Sequence, residues 1–288
     1  MNYSTLFDLS KEPLILLKEV LLKRGFLVEL VTCNEQTHLI LSDNSYVLNS
    51  PIIDKEKRNV ITDAEYLIKL CKSINLCIDL RNIRYMEILW NGIIDSEFIN
   101  NLFASFVVQR EMQMPYHNKN SYFINHVRGK KIPLCQLEPG IALFVKALSS
   151  IGIDTWSSCD GHGDKNASVC FTGELYSMWC EFVVADVSAK AACKNKWIFG
   201  SDILQIETGY GTHPVEYYYE IFNAADCIYK NRNKYLQLKR EVSLCIHNKD
   251  EKDVIKQKME KVFIEYNNSK QTDINEKHNY IEGVYNDI

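Results

Sequence analysis

An α/β protein of the α+β kind is what the sequence predicts: a C-terminal core of mixed sheet and long helices, preceded by a small α+β lobe. Three observations carry this. Segments with apolar residues at helical spacing, such as Leu14, Leu17 and Leu21, alternate with short β-rich runs such as Phe26 to Thr32. Glycine and proline punctuate the boundaries between them. Finally, 46% hydrophobic against 24% charged residues over 288 positions is the balance of a folded chain with room for a full core or two modest ones.

In order along the chain, Pro13 opens a helix that ends before Gly25. Phe26 to Thr32 and Thr37 to Leu41 read as a hairpin turning near Asn34, and Tyr46 to Ile53 as a third strand disturbed by Pro51. Thr62-Asp63 can cap a helix through Ile74, and Asp95-Ser96 a longer one through about Met112. These elements make an N-terminal lobe over residues 1–114. Residues 115–136 turn polar and basic and are expected to connect it to the core at 137–266.

Within that core Pro139 begins a helix carrying Ile141, Phe144, Val145 and Leu148, ended by Gly152. Ile153 to Ser157 reads as a strand entering the loop Ser157-Ser158-Cys159-Asp160-Gly161-His162-Gly163, and Ala167 to Thr172 as the strand leaving it. Leu175 to Ala192 is helical in spacing. Trp197 to Thr208 is extended with a break at Gly200-Ser201-Asp202, and Pro214 starts a long helix bent near Asn231. A charged helix from Lys249 to Tyr266 follows, and 267–288 is polar enough to be a flexible tail.

A net charge of −4 gives no global basic surplus of the sort that duplex binding usually shows. The densest basic runs, Arg128 to Lys131 and Lys230 to Lys234, read as a solvated loop and a polar helix face. Ten cysteines without a CxxC pair, several in apolar runs, read as reduced, buried side chains. Met1 to Ser10 lacks a signal pattern and no run approaches the roughly 18 apolar residues of a membrane span, so a cytoplasmic protein without membrane contact is expected.

Chemistry concentrates in the Ser157 to Gly163 loop, where two hydroxyls, a thiol, a carboxylate and an imidazole sit among two glycines. Glycine at 161 and 163 frees the backbone for close approach of a ligand and lets Cys159 and His162 fold toward one point. Several readings stand side by side. Cys159 can be a nucleophile with His162 as its base, oriented by Asp160 or Asp154. Cys159 and His162 can be half of a zinc site, if Cys170, His213 or Cys135 completes it. The loop can be a cradle in which Thr155, Ser157, Ser158, Gly161 and Gly163 hold a nucleotide or cofactor while Asp160 or His162 acts on the substrate. It can also be a structural turn. The cradle is the leading reading, and without a second paired motif no metal is expected. Gly161-x-Gly163 is no dinucleotide fingerprint, since a third glycine and a following helix are missing.

Thr155-Trp156-Ser157-Ser158-Cys159-Asp160-Gly161, preceded by the helix Ile141 to Leu148 and followed by a strand, resembles the T-T-S-S-C-S-G-R segment of the wybutosine-synthesising tRNA methyltransferase family. It is similar also to a loosely bounded set of bacterial and phage proteins with a T-x-x-S-C-x-G-H pattern. The resemblance covers about 137–171. It implies an enzyme using S-adenosylmethionine on a nucleobase in RNA, with Thr155, Ser157, Ser158, Cys159 and Gly161 matching the family's loop. Trp156, Asp160 and His162 depart from its threonine, serine and arginine.

A second candidate site is Glu207 to Pro214, where Gly209, Gly211, Thr212 and His213 precede a helix whose Pro214 leaves the first N–H groups free for an anion. Glu216 at the third helical position offers a structural account of the same residues. If the two loops face each other, His162 and His213 share a pocket for a phosphate-bearing ligand. The expected function is a nucleotide- or nucleic-acid-directed enzyme, with S-adenosylmethionine as candidate cofactor. The alternative is a non-catalytic, ligand-sensing or regulatory subunit of a phage-defence or mobile-element assembly, with a protein partner or a second copy of the chain.

Overall fold

The computed structural model describes residues 2–41, 63–73, 77–81, 87–104, 120–125, 132, 134, 137–162, 165–191, 196–207 and 214–285. After a 3₁₀ turn at Tyr3–Leu6, helix α1 (Pro13–Arg24) follows the expected boundaries. Gly25 caps it in the left-handed region at φ +105°, with its N–H donating to Leu22 O and the Phe26 N–H to Leu21 O. The hairpin forms from β1 (Val28–Cys33) and β2 (Gln36–Leu41), turning through Asn34 and Glu35, both at positive φ. The strand expected at Tyr46 to Ile53 lies outside the described residues.

Helix α2 (Asp63–Ser73) lies where the sequence places a helix, and two strands that the sequence did not signal, β3 (Cys77–Arg81) and β4 (Glu87–Asn91), join the first sheet. Its order is β1-β2-β4-β3, antiparallel at every described pairing. In α3 (Ser96–Ala104) the Asp95 carboxylate accepts the Phe98 N–H at 2.8 Å; the expected extension to Met112 lies outside the described residues. Inside the expected connector, α4 (Asn120–Asn125) is a short helix that buries Phe123 against Tyr176.

Helix α5 (Pro139–Ser150) is buried from Pro139 through Leu148, Lys146 included, so it is the axis around which the rest packs rather than a surface helix with one apolar stripe. Its neighbours are α1, α7 (Pro214–Lys230) and β5 (Thr155–Cys159). Gly140 lets α7 come close: a Cβ there would fall inside the Tyr218 ring. The second sheet takes the order β5-β6-β8-β7, with β6 at Ala167–Phe171, β7 at Lys196–Phe199 and β8 at Ile203–Glu207, again antiparallel. Between β6 and β7 runs α6 (Glu174–Ala191). Val169, Phe171, Leu204 and Ile206 turn the sheet's inner face to the core.

Two helices close the chain. Helix α8 (Arg232–Cys245) follows α7 at the expected bend, and α9 spans Lys252–Tyr285. The helix thus continues nineteen residues past Tyr266, into the segment 267–288 that the sequence suggests as a flexible tail. The apolar stripe Ile255, Met259, Val262 and Phe263 docks its first half. One hydrophobic core, from Leu6 to Phe263, runs through both halves of the chain. Among the described residues, no helix is long and apolar enough to cross a membrane.

The α1 cap gives a test of how tightly the halves are joined. A Cβ on Gly25 would lie 2.6 Å from Leu134 and 2.9 Å from the Ala142 Cβ, on backbone that L-residues rarely adopt. Gly25→Ala is therefore expected to cost about 1–3 kcal/mol by overpacking and strain. Equilibrium urea unfolding checks it; an unchanged midpoint would mean that the α1–α5 contact is loose.

Candidate functional site

The site is built where the end of β5 meets the start of α5. Strand β5 runs through Cys159, so Thr155, Ser157 and Ser158 belong to the strand and not to the loop, and only Asp160 onward turns. A bulge between Thr155 and Ser157 shifts the register and leaves Trp156 outside the ladder, 41% exposed. Cross-strand partners then sort the side chains. Ser157 stands opposite Cys170 and Cys159 opposite Ser168 on the solvent side, whereas Ser158 faces the buried Val169 and Thr155 the buried Phe171. The strand thus separates the two serines, and Thr155, 2% exposed, is a core residue and no cradle. β5 is also an edge of its sheet.

The turn itself is specified by glycine. Gly161 has φ +79°, and a Cβ there would run into Lys165 O, which belongs to the turn that the Lys165 N–H closes on Gly161 O at 2.9 Å. His162 is left-handed too, at φ +53°. Such a conformation costs about 1 kcal/mol or more in a non-glycine residue and persists where surroundings enforce it. Its N–H donates to Asp160 Oδ1 at 3.0 Å, and the result is an imidazole held outward with a side chain 58% exposed.

Asp160 and Glu138 are both buried and hold one another across 22 residues of chain. Glu138 occupies the N-cap of α5 without capping it by its own side chain. Instead its Oε2 accepts the Asp160 N–H at 2.6 Å, and Asp160 Oδ2 accepts the Gly140 N–H at 3.2 Å. This reciprocal arrangement satisfies the first turn of α5 and places two carboxyls at the positive end of a helix. Each also faces His162: Glu138 Oε1 is 3.4 Å from Nε2 and Asp160 Oδ1 3.5 Å from Nδ1. Cys159 Sγ lies 3.7 Å from His162 Nε2 and accepts the Gly161 N–H at 3.4 Å.

Electrostatics follow from this crowding. Burial, with the neighbouring Asp160 carboxylate, pushes the Glu138 carboxyl above its ordinary range, against the lowering effect of the Asp160 N–H. The Cys159 thiol is pushed up by burial first and then by both carboxylates. Cys159 and His162 are thus adjacent, as the nucleophile reading requires, but the surroundings oppose the thiolate that it needs. Behind the cluster, Tyr218 donates to Asp160 O at 3.5 Å, and Tyr3 stacks on Phe103 at 4.8 Å. Burial, followed by the Asp160 charge, pushes the Tyr3 hydroxyl to about 12.

The structure therefore brings together Cys159, Asp160, Gly161 and His162 from the expected set, and adds Glu138, Tyr3 and Tyr218, which the sequence reading had not selected. Glu138 stood beside the helix-starting Pro139, but only the fold shows where its carboxylate turns. Cys170 is two positions along the ladder from Ser168 and stays out of the cluster. Gly163 and residues 208–213 of the second candidate loop, Gly209, Gly211, Thr212 and His213 included, lie outside the described residues, as does Cys135. Among the described residues, Glu138, Cys159 and His162 form a trio whose ligand atoms all lie within 4.8 Å of one another. Comparison with protein families, with curated proteins and with solved structures finds no match to this chain.

Proposed function

We propose that the chain is an enzyme acting on a nucleotide or a nucleobase, with His162 moving the proton at the reacting atom. The observation that carries this is the imidazole itself. It is exposed toward solvent, yet each ring nitrogen lies within 3.5 Å of a carboxylate oxygen anchored by main-chain hydrogen bonds. An imidazole fixed on both sides at a strained backbone position is suited to accepting and returning a proton. Asp160 positions the ring through Nδ1, and Glu138, held above its usual range, can share a proton with it. The nucleotide part of the reading draws on Trp156, an exposed indole about three residues, or roughly 10 Å, up the strand from Cys159, where a base can stack. It draws also on the resemblance of the loop to a tRNA-modifying family, from which S-adenosylmethionine is retained as a candidate ligand.

Thermal stabilisation by ATP, S-adenosylmethionine and inorganic phosphate tests it. A ligand at one hundred times its Kd stabilises by about 2.7 kcal/mol, which is at least about 5 °C in a chain of this size. The expected result is such a shift for ATP or S-adenosylmethionine, lost in His162→Ala and reduced in Trp156→Ala. No shift with any of the three would overturn the reading, and a shift with phosphate alone would reduce it to an anion site.

A further inference from the structure

We propose that Glu138, Cys159 and His162 bind one divalent transition-metal ion of zinc's class, through Oε1, Sγ and Nε2, with a fourth coordination position open to solvent. This rests on the same cluster as the function proposed above, though not on the identity of its substrate, and it reassigns His162: with Nε2 on the ion and Nδ1 facing Asp160, the proton moved at the reacting atom belongs to a water in the open position and not to the imidazole.

Ligand spacing is the first argument. In a zinc tetrahedron with metal–ligand bonds of about 2.0–2.3 Å, neighbouring N, O and S ligands stand about 3.4–3.6 Å apart. The His162 Nε2 to Glu138 Oε1 distance is 3.4 Å and the Cys159 Sγ to His162 Nε2 distance 3.7 Å. A proton shared between imidazole and carboxylate draws the heavy atoms to about 2.7–2.9 Å instead. The pair is thus spaced for an ion between the two groups better than for a hydrogen bond.

Orientation is the second. Asp160 Oδ1 faces Nδ1, on the far side of the ring from Cys159 and Glu138, which leaves Nε2 for the ion. A carboxylate behind a ligating histidine fixes its tautomer and ring plane. Asp160 is itself held by the Gly140 and His162 N–H groups, and Glu138 keeps Oε2 on the Asp160 N–H, so that Oε1 is the oxygen turned to the cluster. Donor chemistry is the third. A thiol, an imidazole and one carboxylate oxygen suit zinc, and not magnesium or calcium, which take oxygen ligands. On binding, the Cys159 S–H bond breaks, the sulfur keeps the electron pair as a thiolate ligand, and the proton leaves to solvent. Because the His162 side chain is 58% exposed, three protein ligands leave a side accessible to water, the arrangement of a catalytic and not a closed structural site.

The test uses the full chain, tag-free and purified without chelator, with metal content read by mass spectrometry. The chain is then stripped and reloaded with Zn²⁺ or Co²⁺. Wild type should hold about one equivalent of zinc, and the cobalt form should show a thiolate-to-metal charge-transfer band in the near ultraviolet with the intense visible bands of a tetrahedral site. Cys159→Ser should abolish the charge-transfer band while its metal-free form melts as metal-free wild type does, and Glu138→Gln and His162→Ala should each weaken binding at least tenfold. Exposed Cys33 and Cys245 make the difference between wild type and Cys159→Ser, and not the band alone, the decisive readout. Absence of the band in wild type, or its persistence in Cys159→Ser, overturns the proposal. Metal bound through Cys159 without any nucleotide stabilisation supports the metal site and removes the nucleotide reading. Nucleotide binding by a chain that takes up no cobalt does the reverse.

Discussion

Asp63→Ala is expected to bring the protein to the edge of unfolding. Asp63 opens α2, yet both of its carboxylate oxygens are spent elsewhere: Oδ1 accepts the Leu134 N–H at 2.8 Å, and Oδ2 pairs with Lys146 Nζ at 2.5 Å. The side chains are only 6% and 3% exposed. Lys146 sits on α5, a helix buried from Pro139 through Leu148, and its ammonium is paired with this carboxylate inside the core. Removing one partner of a buried pair costs about 3–5 kcal/mol, and an unsatisfied buried N–H adds about 1–3 kcal/mol. Domains of ordinary stability hold about 5–15 kcal/mol in total.

Two further variants separate these contributions in chemical denaturation. Asp63→Asn keeps an acceptor for Leu134 and removes only the charge, so it should fall between wild type and alanine. Asp63→Leu combined with Lys146→Met removes both charges and should recover a substantial part of the loss, since apolar replacement of a buried pair is often neutral. A loss below about 1 kcal/mol in Asp63→Ala would show that the pair is solvated in solution and does not join α2 to α5.

What the sequence disclosed, and what it withheld, divides along the range of the interactions involved. Pro13 and Gly25 delimit α1 because a fixed φ and a left-handed cap are local requirements, and Asp95 caps α3 for the same reason. Strands β3 and β4 were not legible, since Cys77-Ile78-Asp79-Leu80-Arg81 places only two large apolar residues on one face and no strong turn signal flanks it. Helix α9 outran its apolar stripe because a helix, once docked through Ile255 to Phe263, extends through polar residues at little cost. At the site, glycine and histidine density marked the turn from Asp160 to His162 that the fold sets against the start of α5. The strand parity that turns Ser158 and Thr155 inward depends on a bulge at Trp156, and Glu138 joins through a backbone contact 22 residues away. Neither leaves a periodic trace in sequence.

Stability should rise with pH on passing through neutrality, and Lys239 is the cause. Its side chain enters the core from α8, 1% exposed, with Nζ donating to Gly152 O at 2.5 Å and lying 4.7 Å from the Phe123 ring and 5.0 Å from the Tyr176 ring. Burial pulls its ammonium down from about 10.5 to about 7, only partly offset by the Asp154 carboxylate. Below about 7 both folded and unfolded chains carry the proton. Between about 7 and 10 the unfolded chain binds it and the folded chain does not, so the free energy of unfolding grows with pH. Buried thiols act in the opposite sense: burial raises Cys71 to about 12 and holds Cys180 higher still, so above about 8.5 the unfolded chain loses protons that the folded chain keeps. The rise is therefore to be sought between pH 6.5 and 8. Lys239→Met keeps the aliphatic stem and removes the titration, so its stability should be flatter with pH over that interval, although the Gly152 carbonyl loses a donor. Urea unfolding of both proteins at half-unit pH steps gives the comparison. Equal slopes would show that Lys239 keeps its proton in the folded state, held there by Asp154 and the two rings.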